Sequence, residues 1–231
     1  MTRLYLVRHA DVENPRRVLY GHLPGFSLSE LGRRQAIEVG RSLRDRNVRR
    51  ILHSPLDRAA ETARLICQQL PTPVPLIADP DLREADFSRY LQGVPYWQIP
   101  LRRPLWFVHK ARRGLLPGDE PIEQLGGRVL AVALRVARED PEGTSVLVSH
   151  ADPLQAAWVI MDGRPHTERE LYRKPVDRAG VLEVQVEGDR LRVVTYVEPA
   201  RSAADGRRPG GGDPDSTSPA APGGAGGPTG R

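Results

Sequence analysis

Hydrophobic and polar positions along this chain change period several times. Residues 3–7, "RLYLV", make a short apolar run with β-branched and aromatic members that stops at Arg8, which predicts a buried strand. The stretch "SLSELGRRQAIEVGRSLRDRN" switches to helical spacing. Leu31, Ala36, Val39, Gly40 and Leu43 recur along one face, and Ser29 stands where an N-cap belongs. "RRILHS" predicts a second strand closed by Pro55, and "LDRAAETARLICQQL" a second helix ended by "PTPVP". A third helix is expected over "PIEQLGGRVLAVALRVARED", a strand over "TSVLVSH", and a fourth helix over "PLQAAWVIM". The last stretch, "GVLEVQVEGDRLRVVTYVE", reads as two strands joined across Glu187-Gly188-Asp189-Arg190.

Alternating strands and helices place the chain in the α/β class. The expected architecture is a three-layer α/β/α sandwich with a mostly parallel central sheet and an antiparallel terminal hairpin. Ligands of such sheets gather at the carboxyl ends of the strands. Two of those ends carry the same tripeptide, in "LYLVRHAD" and "SVLVSHAD", and a third reads "ILHSPLDR". Three strand ends are therefore expected to share one crevice. An internal duplication does not explain the likeness, because the residues that follow, "VENPRRVLYG" and "PLQAAWVIMD", share nothing.

Composition separates a body from a tail. From Arg201 to Arg231 the chain has 14 Gly or Pro among 31 residues and no large apolar side chain. Such a segment buries too little apolar surface to offset its chain entropy, so residues 201–231 are expected to be disordered, leaving a domain over residues 1–200. The formal charge is +5, carried almost wholly by arginine. A modest, dispersed excess suits anionic small molecules, and no nucleic-acid partner is expected. Cys67 is alone and is read as a small packed hydrophobe. No apolar run approaches membrane length and no signal-peptide core begins the chain, so a cytoplasmic protein without a membrane partner is expected.

The predicted crevice gathers Arg8, His9, Arg58 and His150. Guanidinium forks match phosphate oxygens, so a phosphoryl group is the natural guest. An imidazole kept neutral by neighbouring guanidinium charges is a competent nucleophile. A metal centre built on the two histidines and nearby aspartates fits poorly. Arg8 would repel a cation, and neither His-x-His nor HExxH spacing is present. No metal and no other cofactor is expected.

"LVRHADVENPRRVLYGHLPGFSLSELGRRQA", "SPLDRAAETA", "LREADFSRYLQG" and "VLVSHAD", in that order, resemble the histidine phosphatase superfamily, the fold of the cofactor-dependent phosphoglycerate mutases. The resemblance runs from about Arg3 to Tyr196. It implies that His9 is the nucleophile that becomes phosphohistidine, and that Arg8 and Arg58 clamp the phosphoryl oxygens. His150 would hydrogen-bond the group in transfer. Glu84 would protonate the leaving alkoxide and then activate water, with Asp11 and Asp152 as the alternative acids. Asn14 and Ser54 would add contacts to phosphate.

The chain departs from the family pattern in places. Ala10 and Ala151 replace the usual glycines after each motif histidine, and the customary phosphate-binding asparagine falls one position beyond Asn14, at Pro15. Specificity is expected from residues 94–125, where Arg102, Arg103, Lys110, Arg112 and Arg113 offer cations for a second anionic group. In the same region, Trp97, Trp106 and Phe107 are expected to pack a lid. The implied activity is a metal-independent phosphomonoesterase acting on a small anionic phosphoester. A phosphoglycerate mutase-type phosphotransferase and a non-catalytic phosphate-binding module are the alternatives. A homodimer is a possibility by analogy.

Overall fold

A computed structural model describes residues 2–199. The segment from Arg201 onward, expected to be a disordered tail, lies outside the described residues. The strands are β1 (Thr2–Arg8), β2 (Val48–His53), β3 (Leu76–Ala78), β4 (Thr144–Ser149), β5 (Val181–Glu187) and β6 (Arg190–Val197). The helices are α1 (Glu30–Ser42), α2 (Asp57–Cys67), α3 (Ser88–Leu91), α4 (Ile99–Arg102), α5 (Leu105–Ala111), α6 (Ile122–Glu139), α7 (Ala151–Met161) and α8 (Glu168–Leu171).

The six strands form one sheet in the order β3-β2-β4-β1-β5-β6. The first four run parallel, and β5 and β6 form the antiparallel edge. Side chains of β1 alternate between the two faces, which is why a short apolar run specifies a strand buried on both sides. Leu4 and Leu6 join Leu52, Leu147 and Leu182 against Val129, Val132 and Val136 of α6 and Leu154 of α7. Tyr5 and Val7 join Ile51, Val146 and Val148 against Ala36 and Val39 of α1 and Ala59, Ala63 and Ile66 of α2. The result is the expected three-layer sandwich. Each such aliphatic side chain contributes about 1.5–3 kcal/mol on burial, against about 0–1 kcal/mol for an exposed ion pair, so these two faces dominate the fold.

Helix ends fall where local chemistry puts them. Ser29 Oγ accepts the Gly32 N–H at 3.0 Å and donates to Asp11 Oδ2 at 2.6 Å, so the N-cap of α1 also ties that helix to the loop after β1. Helix α7 begins two residues earlier than the apolar pattern indicates. Pro153 sits in its first turn, where the missing N–H costs no hydrogen bond, and the helix starts directly after His150. Strand β3 was not expected. It is a three-residue edge strand, exposed at every position, and therefore has no hydrophobic period to read. Trp106 packs with Leu19, Phe87, Leu91, Val94 and Ile99 in a small core of its own. Trp97 is 74% exposed, and Phe107, 56% exposed, meets that core through an edge contact with Trp106, ring centroids 5.0 Å apart. Cys67 is half-buried, its thiol donating to the Val74 carbonyl.

Helices α6 and α7 touch at Gly126, where a Cβ would lie 2.6 Å from the Ala156 carbonyl carbon and 2.7 Å from the Ala157 nitrogen. Both are backbone atoms, so the helices would have to separate. Gly126→Ala is expected to cost about 1–3 kcal/mol, lowering the thermal midpoint by several degrees in a calorimetric scan. An unchanged midpoint would contradict the close packing.

Candidate active site

Register brings the first histidines together. Arg8 pairs with Ser149 and His53 with Val148, so His9, His150 and Ser54 each follow a strand end at the same level of the sheet. Backbone bonds continue past those ends, His9 N–H to Ser149 O at 2.9 Å and Ser54 N–H to Val148 O at 2.9 Å. The imidazole centroids of His9 and His150 lie 5.1 Å apart. Helices α2 and α7 start immediately beside them, which turns two helix amino ends toward the crevice and favours an anion there.

The protonation of His9 follows from its partners. Nδ1 lies 2.8 Å from the Ala10 carbonyl, which only accepts, so Nδ1 carries the proton. Nε2 receives the Arg58 Nε–H at 3.2 Å and so presents a lone pair. The ring is the neutral tautomer with its nucleophilic nitrogen toward the guanidinium. Thr62, one helical turn after Arg58, fixes this relation. Its hydroxyl donates to the Arg58 carbonyl at 2.7 Å and accepts the Ala10 N–H at 3.1 Å, joining the arginine's helix to the histidine's loop.

Arg58 also donates to the Gly21 carbonyl at 2.9 Å and lies 4.7 Å over the Tyr20 ring. Arg8 reaches the Val176 carbonyl at 2.9 Å. Both arginines are 1% exposed, and both histidines 0%. His150 Nε2 pairs with Ser54 Oγ at 2.7 Å. Ser54 Oγ also accepts the Leu56 N–H at 3.3 Å, which fixes the hydroxyl beside the imidazole. Glu84, 4% exposed, holds one carboxylate oxygen on the Ala85 N–H at 2.9 Å and the other 4.0 Å from His150 Nδ1. Two buried guanidinium groups among two imidazoles and one carboxylate give the crevice a positive field suited to a dianionic phosphoryl group.

His9, Ser54, Arg58, Glu84 and His150 thus converge, and Arg8, buried next to His9 in the chain, directs its guanidinium to the Val176 carbonyl. Asn14 is engaged elsewhere, its carboxamide bonding the Val18 carbonyl at 2.7 Å and the Val18 N–H at 3.1 Å, which closes the loop between them. The alternative acids have other partners. Asp11 accepts from Ser29 and is paired with Arg178. Asp152 faces Arg113 at 3.3 Å and the Tyr172 hydroxyl at 3.2 Å. The cations expected to meet a second anion are partly consumed as well. Arg113 and Lys110 both bind Glu168, at 2.7 and 3.3 Å. Among the described residues, no group of three or more His, Cys, Asp or Glu side chains is disposed to hold a metal ion.

Two histidines beside the crevice are kept neutral. Burial, with Arg89 nearby, lowers the His22 pKa against the pull of the Ala85 carbonyl. Burial likewise lowers that of His109, against its 2.7 Å bond to Asp119. Their pKa values lie below the ordinary 6.5, so the unfolded chain takes up protons first as pH falls. Stability is complete above pH 6.5 and declines below it. The urea midpoint should drop between pH 7.5 and 5.5, and His22→Gln should reduce that drop; an equal drop in the variant would contradict it.

Comparison with known proteins agrees with this geometry. Residues 4–199 match the family model described as histidine phosphatase superfamily (branch 1). A Mycobacterium tuberculosis protein, Rv0525, is 36% identical over 207 residues, covering 86% of this chain and 97% of that one. Bacillus stearothermophilus YhfR superposes with a TM-score of 0.74 at 24% identity, over 84% of this chain and 96% of that one. The mycobacterial glucosyl-3-phosphoglycerate phosphatase Rv2419c, solved with VO3, gives 0.69 at 24% identity, over 83% and 96%. With a match across nearly all the described residues, and with two histidines at its parallel strand ends and Arg58 of α2 against one of them, this chain belongs to the histidine phosphatase superfamily, branch 1, as a hydrolase of that class.

Proposed function

We propose that the protein is a metal-independent phosphomonoesterase that passes the phosphoryl group of a small anionic ester to His9 and then to water. The observation that carries this reading is the His9 tautomer: its proton is held on Nδ1 by the Ala10 carbonyl, and its Nε2 lone pair lies beside Arg58.

In the first step the Nε2 lone pair attacks phosphorus and the ester P–O bond breaks. Glu84, as the carboxylic acid, gives its proton to the departing alkoxide. In the second, the Glu84 carboxylate takes a proton from water as that water attacks the phosphohistidine. The P–N bond breaks, its electron pair returns to Nε2, and inorganic phosphate leaves. Arg8 and Arg58 hold the equatorial oxygens, and His150, oriented by Ser54, stabilises the charge spread over them. Asn14 contributes by shaping the loop it closes. Glu84 is preferred over Asp11 and Asp152 because it is the carboxylate set beside His150, while the other two are held by Arg178 and Arg113.

A small phosphorylated carbohydrate or amino acid fits a site with its residues this deeply covered. The glucosyl-3-phosphoglycerate phosphatase among the similar structures supports the carbohydrate part of that class.

Hydrolysis of p-nitrophenyl phosphate in excess EDTA tests the scheme. The wild type should turn over, and His9→Ala should lose roughly a thousandfold or more. Loss of wild-type activity in EDTA, or retention of activity by His9→Ala, would contradict it. Arg58→Ala is expected to lower kcat about 10²–10³-fold and to weaken inhibition by inorganic phosphate. Unchanged kinetics would remove Arg58 from the site.

A further inference from the structure

Glu84 follows a single 3-10 turn, Pro80–Leu82, and precedes α3, so most backbone polar groups around it need partners from outside a regular ladder. Side chains supply them. The Leu82 carbonyl accepts from Ser149 Oγ at 2.7 Å and the Ala85 carbonyl from His22 Nε2 at 3.3 Å. The remaining carbonyls from Asp81 to Glu84 go to a single residue of α6. Arg128 Nη1 donates to Asp81 O at 2.6 Å and to Arg83 O at 2.7 Å, and Nη2 donates to Glu84 O at 3.4 Å.

The other donors of the same guanidinium hold Glu120. Nε meets Oε1 at 2.9 Å and Nη2 meets Oε2 at 3.3 Å. Glu120 Oε2 in turn accepts the Asp86 N–H at 3.0 Å. All five N–H donors of Arg128 are used, and the acid loop is gripped on both sides of Glu84, by its carbonyls before and by an N–H after. The two side chains are 10% and 6% exposed, so this ion pair is shielded from water and little screened by salt.

We propose that Arg128 and Glu120 form a clamp that sets the position of Glu84, and that they govern proton transfer to the leaving group by acting on the backbone of the acid loop. They are positioning residues. The inference rests on Glu84 being the acid proposed above. Lysine cannot replace Arg128, because one ammonium cannot span three carbonyls and a bidentate carboxylate.

A leaving-group series tests the clamp: kcat/KM for p-nitrophenyl phosphate, phenyl phosphate and an alkyl phosphate, in wild type, Glu84→Gln, Arg128→Gln, Arg128→Lys and Glu120→Gln. The activated ester needs little proton donation and reports on the intact nucleophile and phosphate site. The other two need the acid. Glu84→Gln should lose about a hundredfold or more on alkyl phosphate relative to p-nitrophenyl phosphate. Both Arg128 variants and Glu120→Gln should show the same selective loss at about tenfold, because a displaced acid is weakened without being removed. Glu120→Gln keeps the test open if the Arg128 variants do not fold.

Equal losses on all three esters by the clamp variants, with Glu84→Gln selective, would reduce the clamp to scaffold and overturn this inference alone. If Glu84→Gln itself lost equally on all three, the assignment of the acid would fail and this inference with it.

Discussion

The parallel register of β1 with β4 is the constraint on which the site depends. Arg8 stands beside Ser149, and the next residue on each chain is a histidine. A slip of β1 by one residue would carry His9 to the opposite face of the sheet and separate the two rings. The register is held by what lies beneath it. Leu4 and Leu6 face α6 and α7, Tyr5 and Val7 face α1 and α2, and neither set can exchange places without repacking both apolar layers. The crevice thus borrows its precision from the core. Precision matters because phosphoryl transfer is catalysed mainly by placing charges and donors.

Beyond the strand ends, precision comes from hydroxyls and one guanidinium. Thr62 links the Arg58 helix to the His9 loop, Ser149 links β4 to the acid loop, and Ser54 links β2 to His150. Each link joins two elements that carry different site residues. Each also satisfies a buried polar group that would otherwise cost roughly 1–3 kcal/mol. Arg128 does for the acid loop what a strand ladder would do elsewhere, with Glu120 completing it. Folding stability and the geometry of the site therefore rest on the same bonds. Substitutions at these hydroxyls should be separable from simple unfolding only by kinetics that distinguish one chemical role from another.

Much of this was legible in the sequence, for identifiable reasons. The strands β1 and β4 announce themselves as short apolar runs because they are buried on both faces, β2 only through Ile51 and Leu52, and α1 because Ser29 caps it. The likeness of "RHAD" to "SHAD" anticipated two histidines at neighbouring strand ends. Thr62 was within reach, since it lies four residues after Arg58 on the same helical face. Strand β3 was not legible, because an exposed three-residue edge has no pattern. Arg128 was not legible either: it lies on the long helix α6, and nothing in the local sequence marks which guanidinium grips a loop more than forty residues earlier. Other expectations meet groups whose surroundings the sequence did not show. Lys110 and Arg113 read as cations for a ligand, Asn14 as a phosphate contact and Trp97 as lid packing, whereas Glu168, Val18 and open solvent are where the chain puts them. A single sequence shows which groups are present but not which ones already have partners.

The central claim is that a covalent bond forms at one nitrogen, His9 Nε2. Rapid quenching of the enzyme with a radiolabelled phosphoester, followed by peptide mapping, tests it directly. The account predicts label that is stable to alkali, lost in acid, confined to the peptide containing His9 and absent from His9→Ala. Turnover without such label under trapping conditions, or label that persists in His9→Ala, would contradict it.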